Sequence, residues 1–421
     1  MHRLALAKSA DAERLRTVGS GPSVSPSRPQ AVRKFTGPRK SANPYNRLDS
    51  SPLRPSVLAK DRIRSWRTPY TFHSLRSLSE TLPSHLISRW QEVLLSSVDE
   101  RTRGSYGAGL LRFNHFCDLH HIPEDQRMPA SEALLSIFIS SYGAGRVSNS
   151  TVSTWLAGLQ LWHAMNLAPW NGDVILSRTR KGVSKLTPSF SRRPPRDPVM
   201  FSHMTALRAG LDLSNSRDSA IWAAACVAWR GCSRLGEVLI ESSSTFTASR
   251  HVTRGCPLKR GVASNNHHFI SFQLPWTKTR GALGDWITVT GTGDEVDAVA
   301  ALEHHLAVNS AVPGTSPLFS YITADGWTYL TKSAFLDRCN EIWTAAGLAA
   351  LFGHGFRIGG TTHLLLHGVD PWVVMKQGRW SSSAFLLYWR NVEEILPLFI
   401  GDSLDTFNSL KDSVTRLAQI S

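Results

Sequence analysis

Seven residues, Arg192-Arg193-Pro194-Pro195-Arg196-Asp197-Pro198, constrain the fold of this chain more than any other stretch. Each proline fixes φ, removes a backbone donor and pushes the residue before it out of the α region, so no helix or central strand can cross them. The chain must fold on either side, with 191–199 as a basic, stiffened linker. With 421 residues, 42% of them hydrophobic, and 14 Trp, there is material for two sizeable cores.

The two sides carry different periodicities. Over 83–190 the pattern becomes helical, enough for four or five short helices. Leu86, Trp90, Val93 and Leu94 recur at helix spacing, as do Tyr106, Leu110, Phe113 and Cys117. Leu134, Leu135, Phe138 and Ile139 predict a third helix ended by Gly143 and Gly145, and Thr151 to Met165 a fourth. Over 200–400 the pattern is mixed. Helices are expected at Phe201–Leu211 and Ser219–Trp229. Alternation from Phe269 to Trp276, a turn at Thr277–Gly281 and a return over Trp286–Thr290 predict a β-hairpin. Gly368 ends a helix, Asp370-Pro371 starts the next as N-cap and N1, and Ser381 can cap a short helix carrying Tyr388. Leu404, Phe407, Leu410, Val414 and Leu417 mark a C-terminal helix over 401–421. The expected class is mainly α with a small antiparallel β-sheet: an all-helical domain, then a mixed α/β domain.

The net charge of +15 points to a polyanionic partner, nucleic acid first and an anionic membrane second. Residues 1–80 hold 16 Lys and Arg against 5 Asp and Glu; the remainder hold 31 against 27. This Ser-, Pro- and Arg-rich segment shows no sustained period and is expected to be a disordered tail. Its Arg33-Lys34 and Arg39-Lys40 pairs suit a nuclear import signal, a DNA-binding arm or a merely solvated tail. Asp11 and Glu13 argue against a mitochondrial presequence. The longest apolar run, Ala220 to Trp229, is half the ~20 residues of a spanning helix and reads as a core helix, with no membrane partner. Five scattered cysteines without metal-ligand spacing imply free thiols in a reducing compartment and no metal.

Several residues suit the transfer of a phosphodiester. Charge grows on the non-bridging oxygens as the nucleophile arrives, so fixed cations must surround them, and arginine's planar fork never deprotonates. Arg234 starts a helix after a glycine turn, where its guanidinium and backbone N–H groups can face one anion. Glu237, three residues on, can fix its rotamer. Arg357 is a second clamp, and His354 can assist proton transfer or bond a phosphate oxygen. Trp380 offers one N–H and a packing surface. Lys278, at a hairpin tip, is a mobile cation able to reach a leaving oxygen, with Lys259 and Arg280 as rivals. Tyr388 is a candidate nucleophile. Each also has a plain structural reading: Arg-x-x-Glu as a surface pair, Trp380 as core, Tyr388 as a half-buried aromatic among Phe385, Leu387 and Trp389. His363 and His367, four apart, resemble half a metal site but have no third ligand in reach, and read as exposed helix histidines.

In the order Gly231-x-x-Arg234-x-x-Glu237, Lys278 in a hairpin turn, His354-x-x-Arg357, Gly378-Arg379-Trp380 and Tyr388, the chain resembles the tyrosine recombinase (phage integrase) family. The G-R-W-S-S-x-A-F…Y wording is most similar to the Crypton-type and related enzymes of eukaryotic mobile elements. The likeness is strong over 200–395, weaker over 85–190, where the family has its core-binding domain, and absent over 1–80. It implies a core-binding domain and a catalytic domain that clamp double-stranded DNA, with Arg234 and Arg357 on the phosphate, Lys278 as general acid, His354 supporting and Tyr388 forming a 3′-phosphotyrosyl link. It implies site-specific recombination or integration without metal, ATP or other cofactor, in a homo-oligomer on DNA and in the nucleus. The C-terminal helix would dock on a neighbouring protomer or on its own domain. One departure is that Tyr388 lies eight positions after Trp380, one fewer than in many bacterial members. Two other readings remain open at this point: a catalytically inactive, domesticated or decayed DNA-binding protein, and a type IB topoisomerase.

Overall fold

The computed structural model describes residues 48, 51–192, 194–400 and 414–415. The chain divides into two units between Pro195 and Arg196, inside the proline-rich segment. The fold is mainly helical with a small antiparallel sheet, as the periodicities predict. No helix among the described residues is long and apolar enough to cross a membrane. The expected C-terminal helix over 401–421 falls outside the described residues, save 414–415, as does the tail before residue 48.

The N-terminal unit is all-helical: α1 (Arg62–Ser65), α2 (Pro69–Thr81), α3 (Ser84–Ser96), α4 (Glu100–Leu119), α5 (Glu124–Arg127), α6 (Glu132–Gly143), α7 (Asn149–Met165) and α8 (Val174–Lys185). Leu110 and Phe113 of α4, Phe138 of α6, and Leu159 and Trp162 of α7 meet in one core. Residues 51–80, expected to belong to a disordered tail, are instead folded. Ile63 and Trp66 are buried in that core, and the backbone carbonyl of Trp66 accepts from Trp162 Nε1 at 2.9 Å. Thr68 caps α2, with Pro69 at N1. Two large apolar anchors fold a stretch whose average composition is polar. One of its arginines is structural too: Arg54 is buried and pairs with Glu124 at 2.7 Å.

The C-terminal unit centres on α10 (Ser216–Arg230), preceded by α9 (Phe201–Ala209) and capped by Asn215. The run Ala220 to Trp229 is buried without a break, so α10 is the core helix its apolarity predicts. It packs on α12 (Ala298–Val308) and α14 (His354–Leu366). Strands β1 (Leu258–Val262), β2 (His268–Leu274) and β3 (Asp285–Thr290) form an antiparallel sheet in that order. Phe272 faces Ile287 and Ile270 faces Val289, all four buried. The edge strand β1 escapes prediction because its sequence, Leu-Lys-Arg-Gly-Val, does not alternate. A second hairpin, β4 (Tyr321–Thr323) and β5 (Gly326–Thr328), precedes α13 (Lys332–Ala345). Then come α15 (Pro371–Gln377), a 3-10 turn (Ser383–Tyr388) and α16 (Val392–Ile400). Asp370 caps α15 with Pro371 at N1, as predicted.

Candidate active site

The site is assembled where α14 crosses the end of α10. The crossing is close because residues 359 and 360 are glycines. A Cβ on Gly359 would lie 1.8 Å from the Val199 carbonyl oxygen, and one on Gly360 would lie 1.9 Å from that of Trp229. Val199 is fastened to the same helix, its N–H donating to the Gly355 carbonyl at 2.9 Å and its own carbonyl accepting from Trp229 Nε1 at 2.8 Å. This contact sets the first turn of α14, which carries His354 and Arg357, beside the turn Gly231–Arg234.

Arg357 is fully buried. Its Nη1 donates to the Cys232 carbonyl and its Nη2 to the Gly378 carbonyl, both at 2.7 Å. Its guanidinium stacks on the Trp380 ring at 3.8 Å and lies 5.7 Å from the centre of the Tyr388 ring. Burial, and then the charge of Arg234, weaken its hold on its proton. The second clamp of the sequence reading is thus sealed, its guanidinium covered by Trp380 and held by two backbone carbonyls. Arg357 Nε and Trp380 Nε1 are buried donors without a hydrogen-bond partner, which marks this floor as polar and incompletely satisfied.

Trp380 is placed by Gly378. A Cβ on that residue would stand 1.6 Å from Cζ3 of the indole, so the ring packs directly against the glycine. Trp380 also packs against Phe385 and Tyr388, with ring centroids at 5.2 and 5.1 Å. Tyr388 ends the 3-10 turn, and its hydroxyl lies 3.0 Å from His354 Nε2. Burial, followed by the charges of Arg196, Arg357, Arg234 and Arg390, pushes the His354 imidazole down to about 4. It is therefore neutral at neutral pH, and in the tautomer that leaves Nε2 bare it accepts the phenolic hydrogen bond.

Arg234 occupies the N-cap of α11 (Leu235–Val238) and is one-third exposed. Its Nη1 donates to Glu237 Oε1 at 2.7 Å, as the three-residue spacing predicts. Its backbone N–H, expected to face an anion, instead donates to Glu237 Oε2 at 3.0 Å. Burial would raise the Glu237 carboxyl, but Arg379 and Arg234 outweigh it and hold the group below its usual range. Arg379, given no role on sequence grounds, donates to Glu237 Oε2 at 2.6 Å and is nearly buried. Its φ of +61° sits in the left-handed region.

Lys278 is not brought to this cluster. It is exposed in the turn closed by the Thr277–Gly281 bridge, and among the described residues no hydrogen bond or ion pair joins it to the others. Lys259 lies over the Trp286 ring at 4.1 Å and Arg280 pairs with Asp285. His363 is not the exposed helix histidine expected: it packs on Trp229 and Phe201, 3.3 Å from Arg230 Nη1. Among the described residues no three metal-ligating side chains gather.

No protein-family model and no curated protein matches the chain. Solved structures do. The XerH site-specific recombinase bound to its palindromic difH substrate, in a post-cleavage complex, aligns with TM-score 0.46 and 15% identity, covering 79% of this chain and 89% of that one. The XerA recombinase aligns with TM-score 0.33 and 14% identity, over 75% and 96%. The FLP recombinase in a Holliday-junction complex aligns with TM-score 0.30 and 12% identity, over 73% and 80%.

Proposed function

We propose that this chain cleaves and rejoins double-stranded DNA through a covalent 3′-phosphotyrosyl bond to Tyr388. The observation that carries the reading is the Tyr388 hydroxyl held 3.0 Å from His354 Nε2, with the Tyr388 ring beside the stack of Trp380 on Arg357. In the forward step Tyr388 Oη bonds to phosphorus and its proton passes to His354 Nε2. The bond from phosphorus to the 5′-oxygen breaks, and that oxygen takes a proton from Lys278, an exposed cation in its hairpin turn that has to approach the bound DNA. Arg234, the more accessible arginine, neutralises the non-bridging oxygens, and Arg357 joins it once the Tyr388 turn engages DNA. Attack by a 5′-hydroxyl reverses each step, so the bond energy is conserved and neither ATP nor water enters. The wording around Gly378-Arg379-Trp380 supports the eukaryotic mobile-element branch, and with it a nuclear site of action and a homo-oligomer assembled on DNA.

The test uses the full chain and nicked duplexes of randomised sequence, whose cleavage releases a short strand and traps any covalent adduct. Adducts that survive denaturation are sequenced to yield the site. Wild type is expected to form an adduct that Tyr388→Phe cannot; no wild-type adduct, with tight duplex binding, favours a non-catalytic DNA-binding protein. Relaxation of supercoiled DNA of any sequence would instead indicate a topoisomerase.

A further inference from the structure

We propose that Arg379 is a positioning residue for Arg234, acting through the buried carboxylate of Glu237; the inference rests on the strand-transfer reading above. Glu237 is bridged from two sides. Oε1 takes Arg234 Nη1 at 2.7 Å, while Oε2 takes the Arg234 backbone N–H at 3.0 Å and Arg379 Nη2 at 2.6 Å. Arg379 is itself anchored by the Gly231 and Gln377 carbonyls, both at 3.2 Å from Nη1, and by Ser233 Oγ at 3.3 Å from Nη2. These contacts tie the turn that carries Trp380 to the turn that precedes Arg234.

Two physical consequences follow. Arg379 is only 7% exposed and, unlike Arg357, which donates to neutral backbone carbonyls, it is ion-paired to a buried carboxylate, so its charge is spent on Glu237 rather than on a phosphate. It also changes what Arg234 presents. A lone Arg234–Glu237 pair is electrically closed, its cation largely cancelled by the adjacent carboxylate. With Arg379 neutralising Glu237, the charge of Arg234 remains uncompensated toward an incoming anion while its rotamer stays fixed. A left-handed non-glycine residue carrying a buried charge is costly, and this double duty is what the geometry returns for it.

The experiment measures single-turnover adduct formation on the nicked duplex selected with wild type, together with DNA affinity by anisotropy and melting temperature. The chains compared are wild type, Arg379→Lys, Arg379→Met, Glu237→Gln and the Arg379→Met/Glu237→Gln pair. Arg379→Met is expected to slow adduct formation about 10- to 100-fold at little change in affinity, a loss typical of misplaced catalytic groups. Arg379→Lys, which keeps the charge, should recover much of the rate and covers the case in which the Met variant fails to fold. In the Glu237→Gln background, Arg379→Met should cost far less than in wild type, because both act through one carboxylate. Losses that multiply in the double variant, or a lowered melting temperature with unchanged rate below it, overturn the proposal. A wild-type adduct alongside a full-rate Arg379→Met defeats this inference alone. Absence of any wild-type adduct defeats the functional reading and this inference with it.

Discussion

The Tyr388 hydroxyl and Nε2 of His354 stand 3.0 Å apart, with their ring centroids at 5.2 Å. The imidazole is held down to about 4 by burial and the arginines around it, so the phenol faces a neutral ring through the whole physiological range, an acceptor in the tautomer that leaves Nε2 bare. Below about 4 the ring is charged and can no longer take the proton. The rate of adduct formation is therefore expected to stay flat from pH 8 to 5.5 and to fall only as pH approaches 4. His354→Gln should slow the step by about 10²- to 10⁴-fold and lose that acid limb. A wild-type limb already complete by pH 6 would show that His354 titrates as an ordinary histidine and would exclude it as the acceptor.

Gly378→Ala tests the floor of the site by size alone, since φ at this position is ordinary for any residue. The new methyl group would overlap Cζ3 of Trp380 and lift the indole from Arg357. Overpacking of this kind costs about 1–3 kcal/mol. We expect a lower melting temperature and a severely slowed adduct step. Restoration of the rate by adding Trp380→Leu would show that the clash, rather than loss of the indole, is responsible; full activity of Gly378→Ala by itself would mean that the stack is dispensable.

Arg357→Lys separates charge from shape. A lysine keeps the cation but cannot donate to the Cys232 and Gly378 carbonyls through one planar fork or lie flat on Trp380. Leaving buried partners unpaired costs about 1–3 kcal/mol each. The variant should melt well below wild type and give little adduct. Wild-type stability measured by denaturant titration would contradict the structural part of this assignment.

How much of this was readable beforehand differs by residue. Helices α4, α6 and α7 announce themselves because Leu110, Phe113, Phe138 and Leu159 are buried at helical spacing. Helices α2 and α8 do not: α2 buries only Thr71, and α8 only Leu176 and Val183 among basic residues. In the site, the Arg234–Glu237 bond follows from a three-residue spacing, a short-range rule. Arg379 pairs with the same carboxylate from 142 positions away, which no local pattern encodes. The sealing of Arg357 beneath Trp380 likewise depends on how Gly359, Gly360 and Gly378 let backbones and rings approach, a tertiary property.

Two histidines remote from the site predict the response of the fold to acid. In the N-terminal unit, His163 Nε2 accepts from the Ala130 N–H at 3.0 Å while Nδ1 donates to the Leu159 carbonyl, so a second proton would oppose a donor. In the C-terminal unit, His305 Nε2 donates to the Leu318 carbonyl and Nδ1 accepts from Asn309 Nδ2. Burial pushes both down to about 4 from an ordinary 6.5. Their folded values lie below the unfolded one, so the stability they confer is complete above pH 6.5 and is lost as pH falls toward 4. Between those limits each should contribute a slope of at most about 1.4 kcal/mol per pH unit. Thermal melting from pH 7.5 to 4.5 should show this decline, and His163→Gln, which keeps an acceptor for Ala130 without titrating, should flatten the part belonging to the N-terminal unit. An unchanged slope in that variant would assign the acid sensitivity to other groups.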